Sequence, residues 1–319
     1  MPNKIDTYSH LHVHSSFSLL DGYGLPDAIA KKASEIGYSS LAITDHATVS
    51  GLIKHQRACD KYGVVPIFGC EFYIVPNAEI KEKGERRGHI TAWAKNETGY
   101  QNMLKMLTLA NINYFYHRPR IDFNTLLSHA NGLCIGTACS ASFVHLDGGI
   151  DFFQELNNLI GEDLYCELMP FDYDGQIETS NLILDLSEKY NRKIIATNDC
   201  HYINADGDAE THEILLACQT KKKWSDATRW RFSCDGLYLC EPEFMVERFK
   251  KQGVLTDSEI SNSLLNTMEI AKKCEGFRIK KKDISLPTPP QYVGRNEEEV
   301  FKELINSGFK KRFGLDLCL

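Results

Sequence analysis

The stretch Ser40-Leu41-Ala42-Ile43-Thr44-Asp45-His46 decides the fold: a short apolar run that ends on two residues suited to chemistry. The same plan recurs along the chain. GLCIG (132–136) is followed by Cys139, and KIIAT (193–197) by Asp199 and His201. VVPIFGCEFYIV (64–75) carries Glu71 where its apolar part ends. ITAWA (90–94) and DLYCEL (163–168) are further strand candidates. Between such runs lie stretches with apolar residues at helical spacing, including PDAIAKKASEIG, opened by Pro26 and closed by Gly37, and the segments 49–62 and 97–111. Short apolar strands alternating with amphipathic helices predict a parallel sheet covered by helices. An open doubly wound sheet gathers functional residues at one switch point, whereas a barrel gathers them at the carboxyl ends of many strands. The second pattern is the one written here, so the expected fold is α/β, a (β/α) barrel with its site at the strand ends.

Outward from this core, His10, His12 and His14 alternate with Leu11 and Val13, a period of two that predicts a strand. After Asp206 the pattern changes. HEILLACQTKK reads as a helix, SCDGLYLCEPEFM as a strand and turn, and TDSEISNSLLNTMEIAKKCEG as a capped helix ending near Gly276. LPTPPQYVG (286–294) is a proline-rich break. The expected division is therefore one domain over 1–285 and, over 286–319, a linker with the start of a further domain or a docking extension.

Composition bounds the function. The 319 residues contain no apolar run of about 18, so no transmembrane helix is expected. The start, MPNKIDTYSHLHVHSS, lacks the apolar region of a signal peptide, and a cytoplasmic location is expected. None of the 11 cysteines forms a C-x-x-C pair; Cys59, Cys134, Cys166, Cys218 and Cys274 read as small buried hydrophobes. Net charge is −7, the wrong sign for a protein that holds nucleic acid by phosphate neutralisation alone. The runs Lys221–Lys223, Lys280–Lys282 and Lys310-Lys311-Arg312 read first as solvated surface, so bound cations must supply much of the attraction for any polyanion.

His12-Val13-His14 places two imidazoles on one strand face, within reach of one ion. Asp199-Cys200-His201 repeats the spacing. One such pair is more often a surface or core feature; two, with Asp45-His46 and Glu71 between them, form a cluster of imidazole and carboxylate donors suited to metal. Asp45 reads equally as a partner that orients His46 and as a cap for the following segment. His10, His55, His117, His129, His145 and His212 read as surface or core residues. Arg118 and Arg120 sit in a polar loop, where solvation competes with a phosphate clamp.

HLHVHSSFSLLDG, LAITDH, PIFGCEFYIV, HITAWAKNETGYQNM and IATNDCHY together resemble the PHP (polymerase and histidinol phosphatase) superfamily. YFYHRPRID (114–122), ETHEILLACQT (210–220) and the LPTPP stretch extend the resemblance, more closely, to the N-terminal domain of bacterial replicative DNA polymerase III alpha subunits. The resemblance implies a distorted TIM-like barrel of seven βα units with a trinuclear metal site. It implies a first ion held by His12, His14, Glu71 and Asp199, a second by Glu71, His89 and Cys139, and a third by Asp21, His46 and His201. Glu71, Asp199 and His201 are expected to carry catalysis, with up to three zinc, manganese or iron ions. The implied activity is a metal-dependent phosphoesterase, a 3′–5′ proofreading exonuclease on a single-stranded DNA end, with polymerase or replisome subunits as partners. A histidinol-phosphatase-type activity and a metal-stabilised structural platform are the alternatives. The same resemblance implies that a following domain opening over 286–319 is palm-like. No polymerase site is expected, because nothing after residue 286 supplies the clustered aspartates of a palm.

Overall fold

Apolar runs punctuated by Gly, Pro and Asn set the elements. The computed structural model describes residues 5–280 and 287–316, in two units, Met1–Ile279 and Lys280–Leu319. In chain order the first unit runs α1 (Pro26–Ile36), β1 (Ser40–Ile43), α2 (Leu52–Tyr62), β2 (Val65–Val75), β3 (Gly88–Ala94), α3 (Glu97–Ile112), β4 (Arg120–Asp122), α4 (Phe123–His129), β5 (Leu133–Gly136), α5 (Gly149–Ile160), β6 (Leu164–Leu168), α6 (Asp174–Tyr190), β7 (Lys193–Ala196), α7 (Asp208–Gln219), α8 (Pro242–Gln252) and α9 (Asp257–Cys274). Pro26 opens α1 and Gly37, at φ +108°, closes it. Thr256 and Glu259 form a reciprocal capping box at the start of α9.

The strands form one seven-stranded sheet in the order β1-β2-β3-β5-β6-β7, with β4 paired to the far end of β2. The sheet curls. One buried cluster draws Ala42, Ile67, Trp93, Cys134, Tyr165 and Ile195 from six strands, joins them to Leu11, and is covered by Ile270, Ala271 and Cys274 of α9. Side chains from so many strands meet only on the concave side of a curved sheet. The N-terminal segment spans both ends of the sheet. His10 bridges to Leu41, and Val13 to Cys200 just past β7. Ala42 N–H donates to the His10 carbonyl (2.9 Å) and His14 N–H to that of Cys200 (2.7 Å).

Four expectations are corrected. No strand forms over His10–His14, which makes only the isolated bridges His10–Leu41 and Val13–Cys200 to the two ends of the sheet. The sheet is not uniformly parallel: β3 runs antiparallel to both β2 and β5. The 12 residues between Val75 and Gly88 contain no helix, and a parallel connection requires a crossover that size rarely allows without one. SCDGLYLCEPEFM supplies only the bridge Tyr202–Tyr238, and its end starts α8 at Pro242. Cys218 is exposed rather than buried, on the outer face of α7.

In the second unit, α10 (Glu297–Phe313) is capped by Asn296, whose side chain accepts from Glu298 and Glu299 N–H, and closes at Gly314, φ +68°. Lys310, Lys311 and Arg312 lie in its last turn, where they complement the helix dipole. Residues 281–286 and 317–319, including Lys281, Lys282 and the domain break expected at 286, lie outside the described residues. No helix among the described residues is long and apolar enough to cross a membrane.

Candidate metal centre

All nine residues singled out from the sequence converge at one end of the curled sheet, and Glu71 is their hub. Buried within β2, it meets His12 Nε2 (3.3 Å) and His89 Nδ1 (2.9 Å) through Oε1, and His14 Nε2 (3.3 Å) and His46 Nδ1 (2.7 Å) through Oε2. Cys139 Sγ lies 3.8 Å from Glu71 and 3.3 Å from His89 Nδ1. Asp199 Oδ1 approaches His12 Nε2 (3.3 Å) and His14 Nε2 (3.1 Å). Asp21 Oδ2 lies 2.9 Å from His46 Nε2 and 3.3 Å from His201 Nε2. The antiparallel turn of β3 explains His89: it stands at the start of its strand, which places it level with the carboxyl ends of the parallel neighbours.

The local backbone is strained around these residues. Ala47 after His46 (φ +46°), Ala138 before Cys139 (φ +59°) and Asp199 itself (φ +47°) adopt the left-handed region. Non-glycine residues hold that region only where the surroundings enforce it.

The second layer fixes which nitrogen faces the cleft. Ser18 donates its hydroxyl to Asp45 (2.9 Å), so its oxygen accepts from His14 Nδ1–H (2.9 Å) and His46 N–H (3.0 Å). His201 Nδ1–H donates to the Asp199 carbonyl (2.7 Å). His12 Nδ1–H donates to Glu167 (3.1 Å). Each of these imidazoles, when neutral, therefore presents an Nε2 lone pair to the cleft. Asp45 thus orients His14 through Ser18; its carboxylate takes Ser15 N–H (2.7 Å) and the Ser15 hydroxyl (2.8 Å) as well, rather than a hydrogen bond from the His46 ring.

Electrostatics agree with a site built around positive charge. Burial would raise Glu71, but His89, His46 and His12 hold it well below the carboxylate range. Burial likewise opposes ionisation of Asp21, which His201 and His46 pull down. Burial lowers His12, His46 and His201, and the facing carboxylates more than reverse this. His12 Nε2, His14 Nε2, His46 Nδ1, Glu71 Oε2 and Asp199 Oδ1 are buried, and their close approaches do not form aligned hydrogen bonds. Buried polar atoms without partners are costly, and five such atoms in one cleft, four of them on residues that fall into neighbouring groups of three, fit divalent cations. The mixed nitrogen, oxygen and sulfur set suits zinc, manganese or iron.

Residues outside the nine sort cleanly. Glu167, an internal residue of β6, was not anticipated: no paired donor two residues away marks it. Buried, it accepts from His12, Thr91 Oγ1, Ala138 N–H (2.9 Å) and Thr197 Oγ1 (3.0 Å). His212, on α7, is buried with its ring 5.3 Å from that of His201 and its Nε2 unpartnered. His10 is turned away, its Nε2–H on the Cys240 carbonyl (2.9 Å), and burial lowers its pKa to about 4. Arg120 is buried and structural, paired with Glu85 and donating to the Ala78 and Ile80 carbonyls. Arg118 instead lines the cleft, a cavity of about 430 Å³ that also takes in Tyr73, Tyr173, Trp230 and Phe232.

Residues 10–170 match the PHP domain family, and the chain belongs to that family. It is similar to DNA polymerase III subunit alpha of Aquifex aeolicus, 31% identical across 96% of this chain and 28% of that relative. With the Thermus aquaticus subunit alpha it shares 32% identity across 96% of this chain and 26% of the relative. The chain thus spans little more than a quarter of the length of these relatives. A solved two-domain protein of Bacteroides vulgatus, described as containing a predicted PHP-like metal-dependent phosphoesterase, is 15% identical. It covers 63% of this chain and 55% of its own, at a TM-score of 0.41.

Proposed function

We propose that this chain is a metal-dependent phosphoesterase, a 3′–5′ exonuclease that removes nucleotides from a single-stranded DNA end. We place it as the PHP portion of a cytoplasmic replicative polymerase of the alpha type, with replisome subunits as neighbours. The observation that carries the reading is the convergence of nine potential ligand side chains on one cleft, five of them with a buried polar atom that has no hydrogen-bond partner. His12, His14, Glu71 and Asp199 would hold one ion, Glu71, His89 and Cys139 a second, and Asp21, His46 and His201 a third. Bound divalent ions supply Lewis-acid stabilisation of phosphoryl oxygens and a lowered pKa for water.

The chain's own residues do the remaining work. Glu167 and the Asp45–Ser18 pair hold His12 and His14 in the ligating tautomer. Asp199 and Glu71 concentrate negative charge where cations are needed, and Arg118 faces the cleft as a permanent cation. Similarity to subunit alpha across 96% of the chain favours DNA over a small monoester.

The test is a substrate panel on metal-loaded protein: 3′-labelled single-stranded DNA, the same strand labelled at its 5′ end, and histidinol phosphate. Release of 3′-labelled mononucleotide, with histidinol phosphate cut far more slowly, is the expected result. Activity on the monoester alone would move the chain to the phosphatase branch. Bound metal with no hydrolysis of any substrate would leave the structural platform.

A further inference from the structure

The segment 219–233, QTKKKWSDATRWRFS, closes one side of the cleft with cations and aromatic rings. Its inner end is anchored. Arg229 is buried, paired with Glu213, with its guanidinium 4.8 Å from the Trp224 ring centroid. Its outer end is free. Trp230 is 51% exposed and Arg231 is exposed beside it, and Arg231 forms no ion pair among the described residues. Across the cleft, Arg118 also lacks a carboxylate partner among the described residues; its guanidinium lies 6.0 Å from the Tyr73 ring centroid.

The rings form a line. Phe232 stands edge-on to His201, centroids 4.8 Å apart, and Trp230 stands edge-on to Phe232 at the same separation. An aromatic path thus leads from a candidate ligand to solvent, flanked by two uncompensated arginines. About half of Trp230 stays exposed at the mouth of the cleft, beside the exposed Arg231, so its ring is open to a ligand.

We infer that Trp230, Arg231 and Arg118 form the recognition rim for single-stranded DNA. Trp230 stacks on a base near the 3′ end while the arginines hold its backbone phosphates. Every base has a π-face, so such a rim grips a strand without regard to sequence, as stepwise degradation requires. Local cations also answer the repulsion that an acidic chain, with acidic residues in its cleft, exerts on a polyanion. A free phosphate monoester needs no such platform. The inference rests on the phosphoesterase reading only for what happens at the strand's end.

The test uses the full 319-residue chain loaded with manganese. Binding of a fluorescein-labelled phosphorothioate oligothymidylate, which resists hydrolysis, is followed by anisotropy over a range of salt. Trp230→Ala is expected to weaken binding roughly tenfold or more, and Trp230→Phe to restore most of it. Arg231→Ala is expected to flatten the slope of log affinity against log salt by about 0.7. Circular dichroism melts matching the parent separate these effects from unfolding. Variants that bind like the parent, or a parent that binds no oligonucleotide, would overturn the inference. Hydrolysis of bis(p-nitrophenyl) phosphate by the parent is measured separately. Weakened binding in the variants, with no hydrolysis by the parent, would sustain the rim and sink the phosphoesterase reading.

Discussion

Glu167 accepts from donors beside three strands and from the N-terminal segment, so replacing it disturbs the candidate ligand His12 without changing a residue that lines the cleft. In Glu167→Gln, the Thr91 and Thr197 hydroxyls can rotate to accept, but Ala138 N–H and His12 Nδ1–H cannot, and one amide oxygen must serve both. Metal affinity measured by calorimetric titration is expected to fall about 10- to 100-fold; unchanged affinity would show that His12 needs no such partner. His55 gives a pH test remote from the candidate metal centre. Buried on α2, it donates Nε2–H to the Leu41 carbonyl (3.0 Å), and Cys59 Sγ lies against its Nδ1. Burial lowers its pKa to about 4, with the Arg278 charge acting in the same direction. The unfolded chain, with an ordinary histidine near 6.5, binds the proton first as pH falls. Stability is therefore full above about 6.5 and declines down to about 4, by up to about 3 kcal/mol. Urea unfolding at pH 7 and pH 5 should show the decline for the parent and a shallower one for His55→Asn; identical slopes would contradict the assignment. At this scale the sequence was informative where residue types pair at strand spacing, as in His12-x-His14 and Asp199-x-His201. It was silent on Glu167, which sits singly in DLYCEL and gains its role only from burial.

Among the elements, β5 and β6 meet where no side chain fits. A methyl group on Gly136 would stand 2.2 Å from Glu167 Oε1, 2.5 Å from Thr91 Oγ1 and 2.7 Å from the Trp93 ring. Gly136→Ala should thus push Glu167 off its donors and cost about 3 kcal/mol or more in denaturant unfolding. Gly175→Ala, whose added carbon meets nothing closer than 3.4 Å in α6, should be neutral or slightly stabilising. Equal effects would mean that the crowding around Gly136 is readily relieved. Strand and helix positions were legible because apolar period and capping residues are local signals: Pro26, Gly37 and the Thr256–Glu259 box all act where the sequence put them. Strand direction is not local. Alternation in HITAWA is the same read either way, and the antiparallel course of β3 was written instead in the helix-free connection before it and in a candidate ligand at its start.

For the whole molecule, the curled sheet brings donors separated by up to 189 residues, from His12 to His201, to one cleft. Composition could not show that convergence; strand-end placement and the family resemblance could. What neither could show is the outer rim: Lys221–Lys223 read as solvated surface, and nothing local marks Trp230, Arg231 or Phe232. Its rings acquire meaning only when Phe232 lands against His201. The central claim is that this cleft hydrolyses phosphodiesters through residues that gather cations, and one comparison addresses it most directly. Release of 3′-terminal nucleotide from single-stranded DNA is timed for the metal-loaded parent, for Asp199→Asn, and for His145→Ala, whose imidazole bonds Thr179 away from the site. Asp199→Asn keeps the shape and removes the charge facing His12 and His14; its rate should fall by orders of magnitude, about 3 kcal/mol or more in the barrier, with the melting transition retained, while His145→Ala stays near the parent. A parent that releases no nucleotide under saturating metal, or an Asp199→Asn rate equal to the parent's, would contradict the account.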